Sequence, residues 1–134
     1  RDGAAAAARA RERAGFQLVV HAARAAGPLP RAIVARIFLG KLTRWPDGQP
    51  ALPVDLPPTS SVRARFSEEV LGRSVATVRA YWQQRIFSGQ DVPPPEQPSA
   101  EQVFEHVRAQ PGAVGYVAAD ARLPHGVRAV EVAP

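Results

Sequence analysis

The chain has no cysteine in its 134 residues, which excludes a disulfide scaffold, thiolate zinc sites, iron–sulfur clusters and cysteine nucleophiles. Reducing and oxidising compartments both tolerate cysteine-free proteins, so location stays open on this count. Methionine is absent too, and the segment is therefore read as a processed or trimmed product, which leaves room for a removed secretion signal. Lysine is confined to Lys41, and arginine supplies every other basic side chain behind the net charge of +5. These arginines (Arg24, Arg36, Arg44, Arg73, Arg85, Arg108 and Arg122 among them) are scattered, without clustering or aromatic interleaving. A nucleic-acid surface is not expected from that distribution. Arg and Pro interrupt every apolar run before the roughly 18 residues that a bilayer span requires, so the chain is read as soluble, with no membrane span in this segment.

What is present describes one ordinary globular domain: 46% hydrophobic, 22% charged and 7% aromatic residues, enough for one hydrophobic core and too few for two. Residues 1–15 are an Ala/Arg segment with good helix propensity and no apolar side chain larger than alanine, read as a leader remnant or a frayed terminal helix. The domain, residues 16–134, opens with Phe16-Gln17-Leu18-Val19-Val20-His21, a short branched run that predicts a buried strand. Ile33, Val34, Ile37 and Phe38 recur at helical spacing after Pro30 and before Gly40. Val62, Phe66 and Val70 make a second stripe ending at Gly72, and Val75, Val78, Trp82 and Ile86 a third ending at Gly89. A fourth helix opens at Ser99 as N-cap with Gln102 three residues on, then runs through Val103, Phe104 and Val107 to Pro111-Gly112.

Between these helices, Ala51 to Leu56 reads as extended after the Pro46-Asp47-Gly48 turn. Ala113 to Ala118 and Val127 to Val132 read as two further strands. Gln90 to Pro98, with four prolines, reads as a loop. The order β, α, β, α, α, α, β, β requires crossovers, so the expected class is α/β, a mixed or parallel sheet flanked by helices. Trp82, Phe66, Phe38, Phe87 and Tyr116 fall on the stripes or strands and are assigned to the core. Trp45 lies beside a turn, either stapling that loop to the domain or standing exposed in a partner interface.

Catalytic patterns are missing. His21, His106 and His125 are dispersed without a second ligand at metal spacing, and there is no Gly-rich phosphate cradle, G-x-S-x-G elbow or H-E-x-x-H. Neither metal, cofactor nor enzymatic activity is expected. The most suggestive stretch is Leu56-Pro57-Pro58-Thr59-Ser60-Ser61-Val62-Arg63, where hydroxyl residues stand at the start of a helix. Free amides, the positive helix end, the hydroxyls of Thr59, Ser60 and Ser61, and Arg63 in the following turn together suit an anion; the plainer alternative is that Ser60 or Ser61 serves only as the N-cap.

Ile37-Phe38-Leu39-Gly40-Lys41-Leu42-Thr43-Arg44-Trp45 resembles an I-F-L-G-K-[IL]-T-x-W segment of the phosphate-binding proteins of ABC transporters, the PstS-like branch of the periplasmic solute-binding superfamily. Pro111-Gly112-Ala113-Val114-Gly115-Tyr116-Val117 is similar to the family's P-G-A-I-G-Y strand. Leu71-Gly72, Ala80-Tyr81-Trp82 and Ile86-Phe87-Ser88-Gly89 resemble its short, single-unit members. The resemblance covers about Gln17 to Val132 and implies a periplasmic binding protein-like fold, one lobe or a reduced version of it, in an exported or periplasmic protein. Its implied ligand is phosphate or a similar oxyanion at Thr59 to Arg63, for uptake or sensing. In the family an arginine and then an S-G-T triplet hold the phosphate; aligned on Phe66, these positions are Asp55 and Ser60-Ser61-Val62 here. The alternative is a structural or protein-interaction module that keeps the fold without the ligand, its partner an envelope protein or a second copy of the chain.

Overall fold

A computed structural model describes residues 2–24, 27–89 and 91–134; the loop expectation at Gln90 and the terminal one at Arg1 lie outside the described residues. In chain order the elements are α1 (Asp2–Ala14), β1 (Gln17–His21), β2 (Leu29–Pro30), α2 (Arg31–Phe38), β3 (Leu52–Pro53), α3 (Ser61–Phe66), α4 (Val75–Phe87), α5 (Ala100–Ala109), β4 (Ala113–Val117), β5 (Val127–Val130) and β6 (Val132–Ala133). A π-helical turn, Ser67–Leu71, continues α3 without a break.

The sheet is mixed, in the order β3-β4-β1-β5. β1 lies between two partners, antiparallel to β4 on one side and to β5 on the other, with Leu18 opposite both Tyr116 and Val130. β3 joins the β4 edge in parallel, and the short strands β2 and β6 form a separate parallel pair. Successive strand residues face opposite sides, which divides the labour along β4. Gly115 turns toward α5, where an added Cβ would lie 2.9 Å from Val103 Cγ1 and 2.8 Å from Val54 Cγ1. Tyr116 turns the other way, onto Phe66 of α3 (stacked, 4.0 Å between centroids) and Phe38 of α2 (5.9 Å). Helices therefore cover both faces, as the α/β reading requires.

The helix punctuation holds with one change of mechanism. Gly40, Gly72 and Gly89 follow their helices with φ of 73°, 67° and 72°, the left-handed region that favours glycine. Gly112 has no positive φ; α5 has already ended, and glycine is needed there because a Cβ would sit 2.0 Å from the Pro50 carbonyl oxygen, where β4 enters beside the chain leading to β3. The assignment of Phe87 to the core is corrected. Val78 and Trp82 bury with Leu39 in a satellite cluster, but the last turn of α4 runs past it, leaving Phe87 95% exposed. At the N-terminus the Ala/Arg segment is helical, with Ala14 packed on the core and Arg65 donating to the carbonyls of Ala14 and Arg13.

Candidate functional site

A cleft of about 320 Å³ opens where β4 ends, between the starts of α3 and α5. Leu56, Thr59, Ser60 and Val62 line one wall, Pro98, Ser99 and Ala100 the other, and Val117 and Ala118 the floor. Ser60 is the N-cap of α3, its Oγ accepting from the Arg63 amide at 3.2 Å, and Ser99 caps α5 by accepting from the Gln102 amide at 3.3 Å. Among the described residues, the amides of Ser61, Val62, Ala100 and Glu101 have no hydrogen-bond acceptor in the protein. These are the orphan donors of two helix starts, and each start carries the positive end of its helix dipole. Thr59 and Ser61 are both exposed; Thr59 lines the cleft, whereas Ser61 and Glu101 are not part of its lining.

The second wall escapes sequence reasoning. Ser99 is legible as a cap, but nothing in the chain says that this cap faces Ser60. The shared signal is a proline-then-serine approach, Pro57-Pro58-Thr59-Ser60 and Pro98-Ser99, which marks two stiff entries into helices without saying that they converge. Glu101 in the first turn of α5 also places a carboxylate near the cleft, opposing an anion.

Arg63 lies elsewhere than at the cleft surface. It is 5% exposed, and its Nη1 donates to Leu56 O at 3.0 Å and to Glu96 Oε2 at 2.8 Å; its Nη2 stands 3.8 Å from Asp55 Oδ2. The guanidinium thus faces inward, away from the hydroxyls of Thr59, Ser60 and Ser61. Asp55, at the position where the resemblance puts an arginine, is 7% exposed and is absent from the cleft lining. Its Oδ1 accepts from the Tyr116 hydroxyl at 2.5 Å, and that hydroxyl accepts from the Leu56 amide at 3.2 Å. Burial pushes the Asp55 carboxyl up to about 6, against the opposing pull of Arg63. Burial, with the adjacent Asp55, also raises the Tyr116 hydroxyl above its ordinary value.

Of the two alternatives for Trp45, the structure takes the staple and not the exposed interface residue. Trp45 is 3% exposed, its Nε1–H donates to Gly112 O at 2.9 Å, and the Arg24 guanidinium lies 4.4 Å above its ring. An indole with one polar edge suits a staple, since the ring buries apolar area while the N–H finds a carbonyl. No group of three metal-ligating side chains occurs among the described residues, and no helix among them is long and apolar enough to cross a membrane.

Comparison with solved structures decides the fold. An ABC-type phosphate transport receptor from Vibrio cholerae superposes with a TM-score of 0.67 at 20% identity, covering 88% of this chain and 46% of that one. The fold is that of the PstS-type receptors. A phosphate ABC transporter substrate-binding protein from Clostridium perfringens, solved with bound phosphate, aligns at 0.63 and 21% identity over 88% of this chain and 44% of its own. PstS from Borrelia burgdorferi gives 0.66 at 12% identity, with 88% and 47% covered. This chain therefore spans less than half the length of each PstS-type neighbour. Neither a protein-family model nor a curated protein sequence matches it significantly.

Proposed function

We propose that this chain is a non-catalytic binder of phosphate or a related oxyanion, held at the paired starts of α3 and α5, and that it serves uptake or sensing as an exported protein of the cell envelope. The observation that carries this reading is the pair of helix starts that line one cleft, Val62 and Ala100 at its walls and the unbonded amides of Ser61 and Glu101 next to them in the chain. Oxyanion oxygens accept from such amides, the dipole ends favour the negative charge, and the Thr59 and Ser61 hydroxyls add donors that rotate to suit. Ser60 contributes chiefly by holding the α3 start in place. Support also comes from the neighbours, two of which are a phosphate transport receptor and a phosphate-bound substrate-binding protein. With one open cleft, water competes for the anion, so a second copy or an envelope protein closing over it would raise affinity.

Titration calorimetry with phosphate, and with sulfate as competitor, tests the reading. Ser61→Asp puts a carboxylate among the amides and is expected to weaken phosphate binding about tenfold or more, since like charges in contact cost several kcal/mol. The same change leaves thermal stability unaltered or slightly higher, because an acidic residue suits a helix start. Glu101→Gln removes an opposing charge and is expected to tighten binding about two- to fivefold. Unchanged affinity in both variants contradicts the assigned site.

One observation favours a second reading, a protein-interaction module. Phe87 and Val92 are 95% and 80% exposed, and Val92 borders an apolar groove that also contains Trp82, Leu52 and Pro93 to Pro95. Exposed large apolar side chains beside a groove mark interaction surfaces. On this reading Phe87→Ser with Val92→Ser abolishes self-association in sedimentation velocity while phosphate binding persists; a wild-type monomer at all concentrations counts against it.

A further inference from the structure

We infer that Arg63, Asp55 and Glu96 form a clasp that sets the spacing of the two helix starts, so that Arg63 is a positioning residue for the oxyanion cleft and not one of its contacts; this rests on the oxyanion reading above. The clasp joins two distant stretches of chain. Main-chain bonds make the first connection: the Asp55 amide donates to Pro95 O and the Gln97 amide to Asp55 O, each at 2.8 Å. Arg63 makes the second, from α3 to Glu96 and to Leu56 O. Tyr116 adds the third, tying Leu56 and Asp55 to β4 one residue before the cleft floor begins at Val117. Both walls and the floor of the cleft are thereby tied to one charged cluster around buried Asp55 and Arg63.

Proline makes the coupling stiff. Between Leu56 and the α3 cap Ser60 lie Pro57, Pro58 and Thr59, and between Glu96 and the α5 cap Ser99 lie Gln97 and Pro98. Fixed φ angles shorten the list of ways those links can bend, so a shift at the clasp is passed on to the helix starts instead of being absorbed. The groups that face Asp55 are Tyr116 from β4, Arg63 from α3 and Glu96 from the 95–97 segment. One guanidinium thus serves two carboxylates, one of them Glu96, which is partly open to solvent. Loss of either carboxylate re-aims the guanidinium and, through the prolines, the amides beyond it.

Glu96→Gln tests the clasp, because Glu96 does not line the cleft and its exposure lets the variant fold. Positioning and simple electrostatics predict opposite signs. Removing a negative charge near an anion site tightens binding if only Coulomb forces act, as expected for Glu101→Gln. Loosening the clasp instead weakens phosphate binding, by about three- to tenfold, the usual coupling within a shared network. Equal or tighter binding in Glu96→Gln overturns the inference. If the wild-type chain takes up no phosphate, the oxyanion reading fails on its own account, and hydrogen exchange still judges the clasp. Faster exchange at the Gln97, Gln102 and Val103 amides in Glu96→Gln, with Val78 in α4 unchanged, supports it; unaltered exchange at all four overturns it.

Discussion

Arg63→Met is expected to destabilise the fold by about 3–5 kcal/mol at pH 8, the loss typical of removing one partner of a buried ion pair, and by clearly less at pH 5. The pH dependence follows from Asp55. Its carboxyl is pushed up to about 6 from an ordinary 3.8, first by burial, with Glu96 adding to the rise and with Arg63 and the Tyr116 hydroxyl opposing it. At pH 8 the carboxylate is charged, and methionine leaves it buried without its cation. At pH 5 Asp55 carries its proton in both proteins, so there is less charge to strand. For the wild type the sign is the reverse of an ordinary salt-bridged aspartate: the native state holds the proton more tightly than the unfolded chain, so Asp55's contribution is complete below pH 3.8 and is lost as pH rises through about 6. The loss is of the order of 3 kcal/mol. Urea unfolding between pH 4.5 and 8 of wild type, Asp55→Asn and Arg63→Met checks both statements. The wild-type minus Asp55→Asn difference should fall with pH; a flat difference removes the buried charge from the account.

The second large effect lies in the core. Phe66→Ala is expected to cost about 3–5 kcal/mol, as a large buried aromatic leaves a cavity that its surroundings refill only in part. Phe66 is the hub of the aromatic cluster, stacked on Tyr116 at 4.0 Å, tilted against Phe38 at 4.7 Å and edge-on to Phe16 at 5.4 Å. Removing it also frees the face of Tyr116, whose hydroxyl joins Asp55 to Leu56. Phe87→Ala supplies the contrast: the same chemical change on a 95% exposed ring should stay within about 0.5 kcal/mol. Comparable losses in the two variants, measured by denaturant midpoint, contradict the placement of the core.

These two phenylalanines also show what the chain discloses by itself. Phe66 was legible because its neighbours Val62 and Val70 repeat at helical spacing, and the stripe packs on the core with Phe66 and Val70 buried and Val62 partly so. Phe87 fits the same kind of pattern, but periodicity records only which face of a helix is apolar, and α4 outruns the satellite cluster of Leu39, Val78 and Trp82. The sheet order was similarly hidden. Crossovers announced a mixed or parallel sheet, but the antiparallel seats of β4 and β5 on either side of β1 depend on pairings between strands far apart in the chain. At the cleft, Ser60 was legible as a cap from its own surroundings. The inward turn of Arg63 was not, because its partner Glu96 lies 33 residues away and one-dimensional spacing says nothing of such pairs. Gly112 illustrates the same limit, being read as a helix stop and required instead by the approach of Pro50.

The central claim is that two helix starts act together on one oxyanion. Amide chemical shifts followed through a phosphate titration of the ¹⁵N-labelled chain test it most directly, since Ser61, Val62, Ala100 and Glu101 each contribute an amide without an acceptor among the described residues. Saturable shifts at both starts, with one shared dissociation constant and little change in α4, are the predicted result. Shifts confined to one helix, or none at millimolar phosphate, would contradict the account.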